Sequence, residues 1–279
     1  MKFEKIRVYN FENALRGMRN PKNSWHLSDS GFGLGDWDCT ADVATDVAML
    51  WAQKDGKEYD DISDEEINSY NDWLWKNGVI YQDEEFIEYA FIGPKDMKLA
   101  KTLVKAGSEH RKFLRQIFVT VDITAPLYWW KEFDTYKVGT VANSTSTMHK
   151  LTSKPIMLDC FEIDDLDLYI ADEHMLSLGT PRYIQQTLIA ELEYLRSKYV
   201  ETDDKRYWKE LVRWLPESWL QTRTVTMNYE NLLSIYQQRK NHKLTEWSGD
   251  GESFCHQSFV KFIKKLPYAN DLITCEDNN

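Results

Sequence analysis

The residue types that most often carry catalysis are widely spaced in this chain. Six histidines occur among 279 residues, and none has the HExxH spacing of a zinc protease. No GxSxG nucleophile elbow is present. The acidic residues between Asp164 and His174 could gather around a cation, but a solvated loop is the favoured interpretation. We therefore predict no metal site, and no residue can be assigned a catalytic role.

A glycine-rich segment near the N-terminus, residues 31–35 (GFGLG), has the composition of a phosphate-binding loop. A phosphate loop needs a strand before it and a Lys-Ser or Lys-Thr pair after it, and neither is present. We predict a flexible loop here rather than a phosphate cradle.

The most suggestive polar residues lie in the middle of the chain, where Thr135-Tyr136-Lys137 precedes the hydroxyl- and amide-rich stretch 140–147. Short hydroxyl and amide groups can bind sugar or base edges, and an ammonium group can meet an anion. Threonine and serine in such a stretch can equally cap a helix. The residue types alone leave both interpretations open.

The elements that would position these residues alternate between strand and helix, which indicates an α+β fold. Strands are predicted at 5–9, 116–124 and 222–227, where apolar and polar residues alternate. Helices are predicted at 13–17, from Ser63 through Trp75, and at 94–107, 128–133, 180–199, 203–215, 229–240 and 255–266.

Composition restricts the function classes. The formal net charge of −11 repels phosphate backbones and anionic lipid, so general nucleic-acid binding and membrane binding are not expected. The four cysteines form no CxxC pair, which is typical of reduced structural thiols. No apolar run has the length of a signal peptide or membrane span, and we expect a cytoplasmic protein.

Residues 123–149 resemble, without a gap, the signature segment of the flavin-dependent thymidylate synthases. In that family a strand ending in proline leads to a helix, an Arg-His-Arg triplet and a Ser/Asn-rich loop. Residues 98–114, with His110 at the family's histidine, residues 180–216 and residues 226–239 are similar to other parts of the same family in the correct order.

The resemblance implies a central antiparallel sheet flanked by helices in a single domain over 1–279, with residues 36–93 as a helical acidic insertion. It also implies FAD as a possible cofactor and a homotetramer, which would cover the aromatic residues Tyr128, Trp129 and Trp130. Carried over position by position, the ligand-binding residues are His110, Tyr136, Lys137, Thr140, Asn143, Ser144, Thr145, Thr147, Asn228, Glu230 and Arg239.

The departures from the family pattern concern its cations. Thr135-Tyr136-Lys137 replaces the arginine-rich triplet, Thr147 stands where the family has a substrate arginine, and Glu230 replaces another arginine. Guanidinium forks hold phosphates best, and each such bond contributes about 1.5–3 kcal/mol. We therefore expect weak dUMP binding and no tight FAD binding.

These losses favour a repurposed fold that binds a nucleotide-like small ligand without methylating dUMP. One alternative is a flavin-dependent nucleotide-modifying enzyme with a remodelled site. A second is a protein–protein interaction module that uses the acidic insertion.

Overall fold

The computed structural model describes residues 1–36, 61–82, 86–146, 150–163, 181–249 and 257–275. The chain divides into two compact units. Unit 1 takes Met1–Arg7, Thr120–Thr226 and Arg239–Phe262, and unit 2 takes Val8–Val119, Met227–Gln238 and Ile263–Asn279. The prediction of a single domain over 1–279 stays a prediction. Within the described residues, no helix is long and apolar enough to span a membrane.

The four-stranded sheet, whose residues lie mostly in unit 1, has the strand order β1-β5-β7-β6. Strand β5 buries every second residue, as its alternating sequence predicts. The sheet comprises β1 (Lys2–Tyr9), β5 (Phe118–Pro126), β6 (Val141–Ser144) and β7 (Leu220–Asn228).

The two long central strands of this sheet run antiparallel. Hydroxyl groups meet across them at Thr120–Thr226, with oxygens 3.1 Å apart, and at Thr124–Thr222, with oxygens 2.7 Å apart. One number rises as the other falls, which is the signature of antiparallel pairing. Strand β6 also pairs antiparallel with β7, from Val141 opposite Thr226 onward. The predicted antiparallel sheet is therefore present.

The helices of unit 1 pack an aromatic core. Helix α4 (Leu127–Phe133) follows β5 directly, and its Trp129 and Trp130 are fully buried. The ring of Trp129 lies 4.6 Å from that of Trp247 and 5.6 Å from that of Phe259. Unit 1 itself thus covers these two indoles, which corrects the expectation that they need a partner subunit. The homotetramer stays a prediction that rests on the sequence resemblance alone.

A helical hairpin of α5 (Pro181–Thr202) and α6 (Lys205–Trp214) completes unit 1, together with the short helix α8 (Thr245–Ser248). Leu192 and Leu195 of α5 are buried, but Ile184 is 54% exposed. Hydrogen bonds from Arg196 lower the pKa of Glu193 to about 2, and Glu193 also accepts the Ile156 N–H at 2.7 Å. This carboxylate ties the hairpin to the segment before it.

Unit 2 contains a three-stranded antiparallel sheet with the order β2-β4-β3. Its described elements are α1 (Phe11–Arg19), β2 (Gly31–Asp36), α2 (Asp64–Asn77), β3 (Val79–Gln82), β4 (Phe86–Phe91), α3 (Pro94–Lys105) and most of α7 (Tyr229–Arg239). Helix α9 (Phe259–Lys264) begins in unit 1 and ends in unit 2.

The glycine-rich segment predicted to be a flexible loop is strand β2. A Cβ atom on Gly31 would lie 2.1 Å from the ring of Phe91, and one on Gly33 would lie 2.4 Å from the hydroxyl oxygen of Tyr89. The glycines are therefore needed because aromatic side chains of the paired strand β4 lie against their backbone. The prediction of a loop was wrong because the partner strand is far away in sequence.

The described part of the acidic segment 36–93 contains one helix and two strands, and the helical insertion stays a prediction. Helix α2 begins after Ser63, whose hydroxyl accepts the Glu66 N–H at 3.3 Å while Glu66 accepts the Ser63 N–H at 3.1 Å. This capping box is the one that the sequence predicts. Strands β3 and β4 occupy the rest of the described part of the segment.

A buried carboxylate organises the N-terminal part of unit 2. Asp96 is fully buried on α3 and accepts from Arg19 Nε at 2.5 Å through one oxygen. Its other oxygen accepts hydroxyl bonds from Ser28 and Ser30, each at 2.6 Å. The neighbouring Asp29 accepts the backbone N–H groups of Asp96 and Lys95 at the start of the helix. Helices α1 and α3 are joined through this network.

We predict that Asp96→Ala lowers the free energy of unfolding by about 3–5 kcal/mol, because it leaves the buried Arg19 guanidinium without its counter-charge. Urea unfolding measures the change. The control is Glu217→Ala, which breaks an exposed pair with Lys131 and should cost less than about 1 kcal/mol. A loss below 1 kcal/mol for Asp96→Ala would contradict the structural role of this network.

Candidate functional site

Seven of the described candidate residues lie in unit 1, and six of these lie between the end of α4 and the residue after β6. Lys137, Asn143, Ser144 and Thr145 are exposed, whereas Tyr136 and Thr140 are half-buried. We call residues 137–145 the polar strip. The candidate Thr147 lies outside the described residues.

Pairing with β7 fixes the backbone of the polar strip. Asn143 lies opposite Thr224 and Ser144 opposite Arg223. Just beyond the strand, the Thr145 N–H donates to the Thr222 carbonyl at 2.9 Å. Strand β6 lies at an edge of the sheet, and all four of its residues are exposed. The strip therefore presents short hydroxyl and amide groups on a rigid edge.

Arg239, the seventh candidate of unit 1, is held by other side chains. Its Nε donates to the Tyr136 hydroxyl at 2.7 Å, and its Nη1 lies 3.2 Å from Glu132 Oε2. Its guanidinium carbon lies 4.8 Å from the centre of the Trp247 ring, within the range of a cation–π contact. The side chain is only 18% exposed. This guanidinium is therefore part of the packed structure.

Glu132 is the centre of that arrangement. The same oxygen that meets Arg239 accepts the Trp247 indole N–H at 2.7 Å, and His242 Nε2 lies 3.7 Å away. We call Glu132, Tyr136, Arg239, His242 and Trp247 the Glu132 cluster. Sequence reasoning missed Glu132 and Trp247, since nothing in the local pattern of either residue indicates a shared partner.

The remaining candidates lie in unit 2 and have structural partners there. The side-chain oxygen of Asn228 accepts the Asn231 N–H at 2.9 Å, and the side-chain oxygen of Asn231 accepts the Asn228 N–H at 3.2 Å. Asn228 is therefore the N-cap of α7, the role that its residue type most often has. His110 is exposed in a turn, where its backbone N–H donates to the Gly107 carbonyl at 3.0 Å.

Glu230, the residue that reverses a family charge, is neutralised within unit 2. Nε of Arg111 lies 3.1 Å from both of its carboxylate oxygens, and both side chains are more than four-fifths buried. The sequence alone suggests that Glu230 repels a phosphate. The structure shows instead that its charge is balanced by an arginine that sequence reasoning did not single out.

The residues at the family's arginine triplet do not fit the pyrophosphate of FAD. The Thr135 hydroxyl donates to the Glu132 carbonyl at 2.7 Å, and the Tyr136 hydroxyl accepts from Arg239. The Thr140 hydroxyl likewise donates to the Tyr136 carbonyl. Only Lys137 of the triplet presents a charge to solvent, and an ammonium lacks the planar fork that grips two phosphate oxygens.

A metal centre is not formed by the described residues either. Among the residues placed by the structure, no three histidine, cysteine or acidic side chains come together as a cation would require. The acidic residues 164–174 that the sequence analysis considered lie outside that part of the chain.

Comparison with known proteins gives distant structural similarity only. No protein-family model matches the chain, and neither does any curated protein. The chain is similar to the flavin-dependent thymidylate synthase ThyX from Helicobacter pylori complexed with FAD and dUMP, at 17% identity and a TM-score of 0.46, over 66% of this chain and 84% of that chain. A second structure of Helicobacter pylori ThyX with FAD and dUMP gives 15% identity and a TM-score of 0.46, over 88% of this chain and 98% of that chain. At these values the similarity assigns neither a family nor an activity.

We predict that Arg239→Ala lowers the free energy of unfolding by about 2 kcal/mol, because it removes the counter-charge of the half-buried Glu132 and the face-on contact with Trp247. Arg239→Lys should restore little of it, since lysine cannot reach both partners with a planar fork. Urea unfolding is the measurement.

The matched control for that variant is Arg213→Ala, which removes an arginine from an exposed pair with Glu210. Its expected cost is below about 1 kcal/mol. Equal stability of Arg239→Ala and the wild type would show that the Glu132 cluster does not hold unit 1 together.

Proposed function

We propose that this chain is a divergent thymidylate synthase-like protein that binds a nucleotide-like small ligand at the polar strip and does not methylate dUMP. The proposal joins two observations. The sequence resembles the flavin-dependent thymidylate synthases over several ordered segments. The cations with which that family would hold a phosphate are replaced here or are used within the fold.

The observation that carries the proposal is the position of Arg239. Its guanidinium already contacts Glu132, Tyr136 and Trp247, so a ligand phosphate would have to displace these partners. Each charge-assisted hydrogen bond to a phosphate contributes about 1.5–3 kcal/mol to binding, and that contribution is lost when the donor is not available. Losing two or three of these bonds weakens the binding of a nucleotide monophosphate by several powers of ten. Ordinary dUMP chemistry is not supported by such a site.

The polar strip still has the means to bind a less highly charged ligand. Asn143, Ser144 and Thr145 offer an amide and two hydroxyls along a strand edge whose backbone is fixed by β7. Such groups match sugar hydroxyls and base edges. Lys137 adds one exposed positive charge beside them, enough for a single anionic group. We therefore place the ligand at the strip, with Lys137 as its cationic contact.

The test uses a panel of nucleosides and nucleotides together with whatever small molecule copurifies with the chain, identified by mass spectrometry. Calorimetry is expected to show that Lys137→Ala weakens the tightest-binding member about tenfold or more and Thr145→Ala a few-fold. The control is Lys154→Ala, which removes another exposed lysine of unit 1 and should leave affinity unchanged.

Unchanged affinity in both strip variants, with folding intact, would place the ligand elsewhere. Formation of dTMP by the wild-type chain supplied with dUMP, FAD, a reductant and a folate methyl donor would contradict the second half of the proposal.

A further inference from the structure

A cavity in unit 2 is lined by residues that belong neither to the polar strip nor to the Glu132 cluster. Its volume is about 360 Å³, and its lining includes Lys76, Ile92, Met97, Lys264, Tyr268 and Asp271. Cavities of at least about 300 Å³ are large enough for small organic ligands. We call the unit 2 cavity the Tyr268 cavity.

One of the lining residues, Tyr268, has an unusual backbone. Tyr268 has a φ angle of 53°, in the left-handed region that bulky residues rarely occupy. Its hydroxyl oxygen accepts the Ile92 N–H at 3.0 Å, and its ring meets that of Phe11 edge-on, with centres 5.8 Å apart. A π-helical turn, Asn270–Thr274, follows directly. Left-handed side-chain residues and π-turns are both enriched at functional sites.

The Tyr268 hydroxyl is set up to donate a hydrogen bond into the cavity. Its oxygen is used as an acceptor by Ile92, and no described residue accepts its proton. Burial raises the pKa of Tyr268 to about 12, so the hydroxyl keeps its proton at neutral pH. A protonated hydroxyl that already accepts one bond is a natural partner for an oxygen of an anionic group.

The charges at the rim of the cavity are positive, although the chain as a whole carries −11. Lys76 and Lys264 are exposed lining residues, and the ammonium of Lys264 lies 5.8 Å from the centre of the Tyr236 ring. The acidic lining residue Asp271 is paired with Lys101 and is thereby neutralised. An anion therefore meets two ammonium groups at the rim.

Aliphatic residues form part of the cavity wall, beside the polar ones. Ile92, Pro94 and Met97 line one side, and Leu266 and Ala269 come from the C-terminal segment. We propose that the Tyr268 cavity binds a small organic anion that has an apolar body and one carboxylate or phosphate group. The body packs between the aliphatic walls, while the anionic oxygens meet Tyr268 and the two lysines.

The test uses 4-phenylbutyrate and phenyl phosphate as probes and the neutral 4-phenylbutyramide as the comparison, with ligand-observed NMR titrations of the full chain. Both anions are expected to bind at least tenfold more tightly than the amide. The double variant Lys76→Gln/Lys264→Gln should weaken the anions about tenfold, whereas Lys265→Gln, an exposed lysine outside the cavity, should leave them unchanged. Which anion binds more tightly identifies the carboxylate or the phosphate as the preferred group.

A second variant tests the space in the cavity rather than its charge. Met97→Trp places a larger ring at a half-buried lining position and is expected to abolish binding of both anions while the chain stays folded. Binding of neither anion, equal binding of anion and amide, or an equal loss in Lys265→Gln and the double variant would overturn the proposal. Lys137→Ala should change none of these titrations, which separates this cavity from the polar strip.

Discussion

The Glu132 carboxylate is the constraint on which the chemistry of unit 1 depends. One of its oxygens accepts the Trp247 indole N–H, faces the Arg239 guanidinium and lies near His242. These bonds hold the indole against the buried Trp129 ring, and Arg239 uses its Nε and Nη1 within the same cluster. An arginine in an open cleft could bind a phosphate. Here Arg239 is a structural cation instead, because the Glu132 carboxylate and the face of the Trp247 ring are its partners.

Unit 2 follows the same rule with different residues. Asp96 neutralises the nearly buried Arg19, and Arg111 neutralises Glu230. In each case a charge that could serve a ligand is balanced by the fold, since a charge removed from water without a partner is strongly unfavourable. The positive groups that stay exposed, such as Lys137 on the strip and Lys264 at the Tyr268 cavity, are ammonium ions rather than guanidinium forks. Such groups suit ligands with a single anionic group better than a diphosphate.

The sequence was sufficient where the signal is local. Helices were predicted to start at Ser63, near 180 and at 229, and the structure contains all three starts. They have a capping box at Ser63 and Glu66, a proline at the start of α5 and Asn228 as the N-cap of α7. Prediction from the sequence failed where the structure of a residue depends on a partner that is distant along the chain. The glycines of β2 face aromatic rings of β4, and Arg239 reaches Tyr136, which lies 103 positions earlier. No local pattern shows that an arginine already has its counter-charge, so the candidate site could be listed by type but not by availability.

The central claim is that, among the described residues of the candidate site, the guanidinium of Arg239 is already used within the fold and is not available to a ligand phosphate. Its most direct measurement is calorimetry of the wild-type chain with dUMP and with deoxyuridine, which differ only by the phosphate. The account predicts affinities within about tenfold of each other, the contribution of one exposed lysine such as Lys137. Binding of dUMP several hundredfold more tightly than deoxyuridine would contradict it, because such a preference requires arginine forks that the Glu132 cluster leaves unavailable.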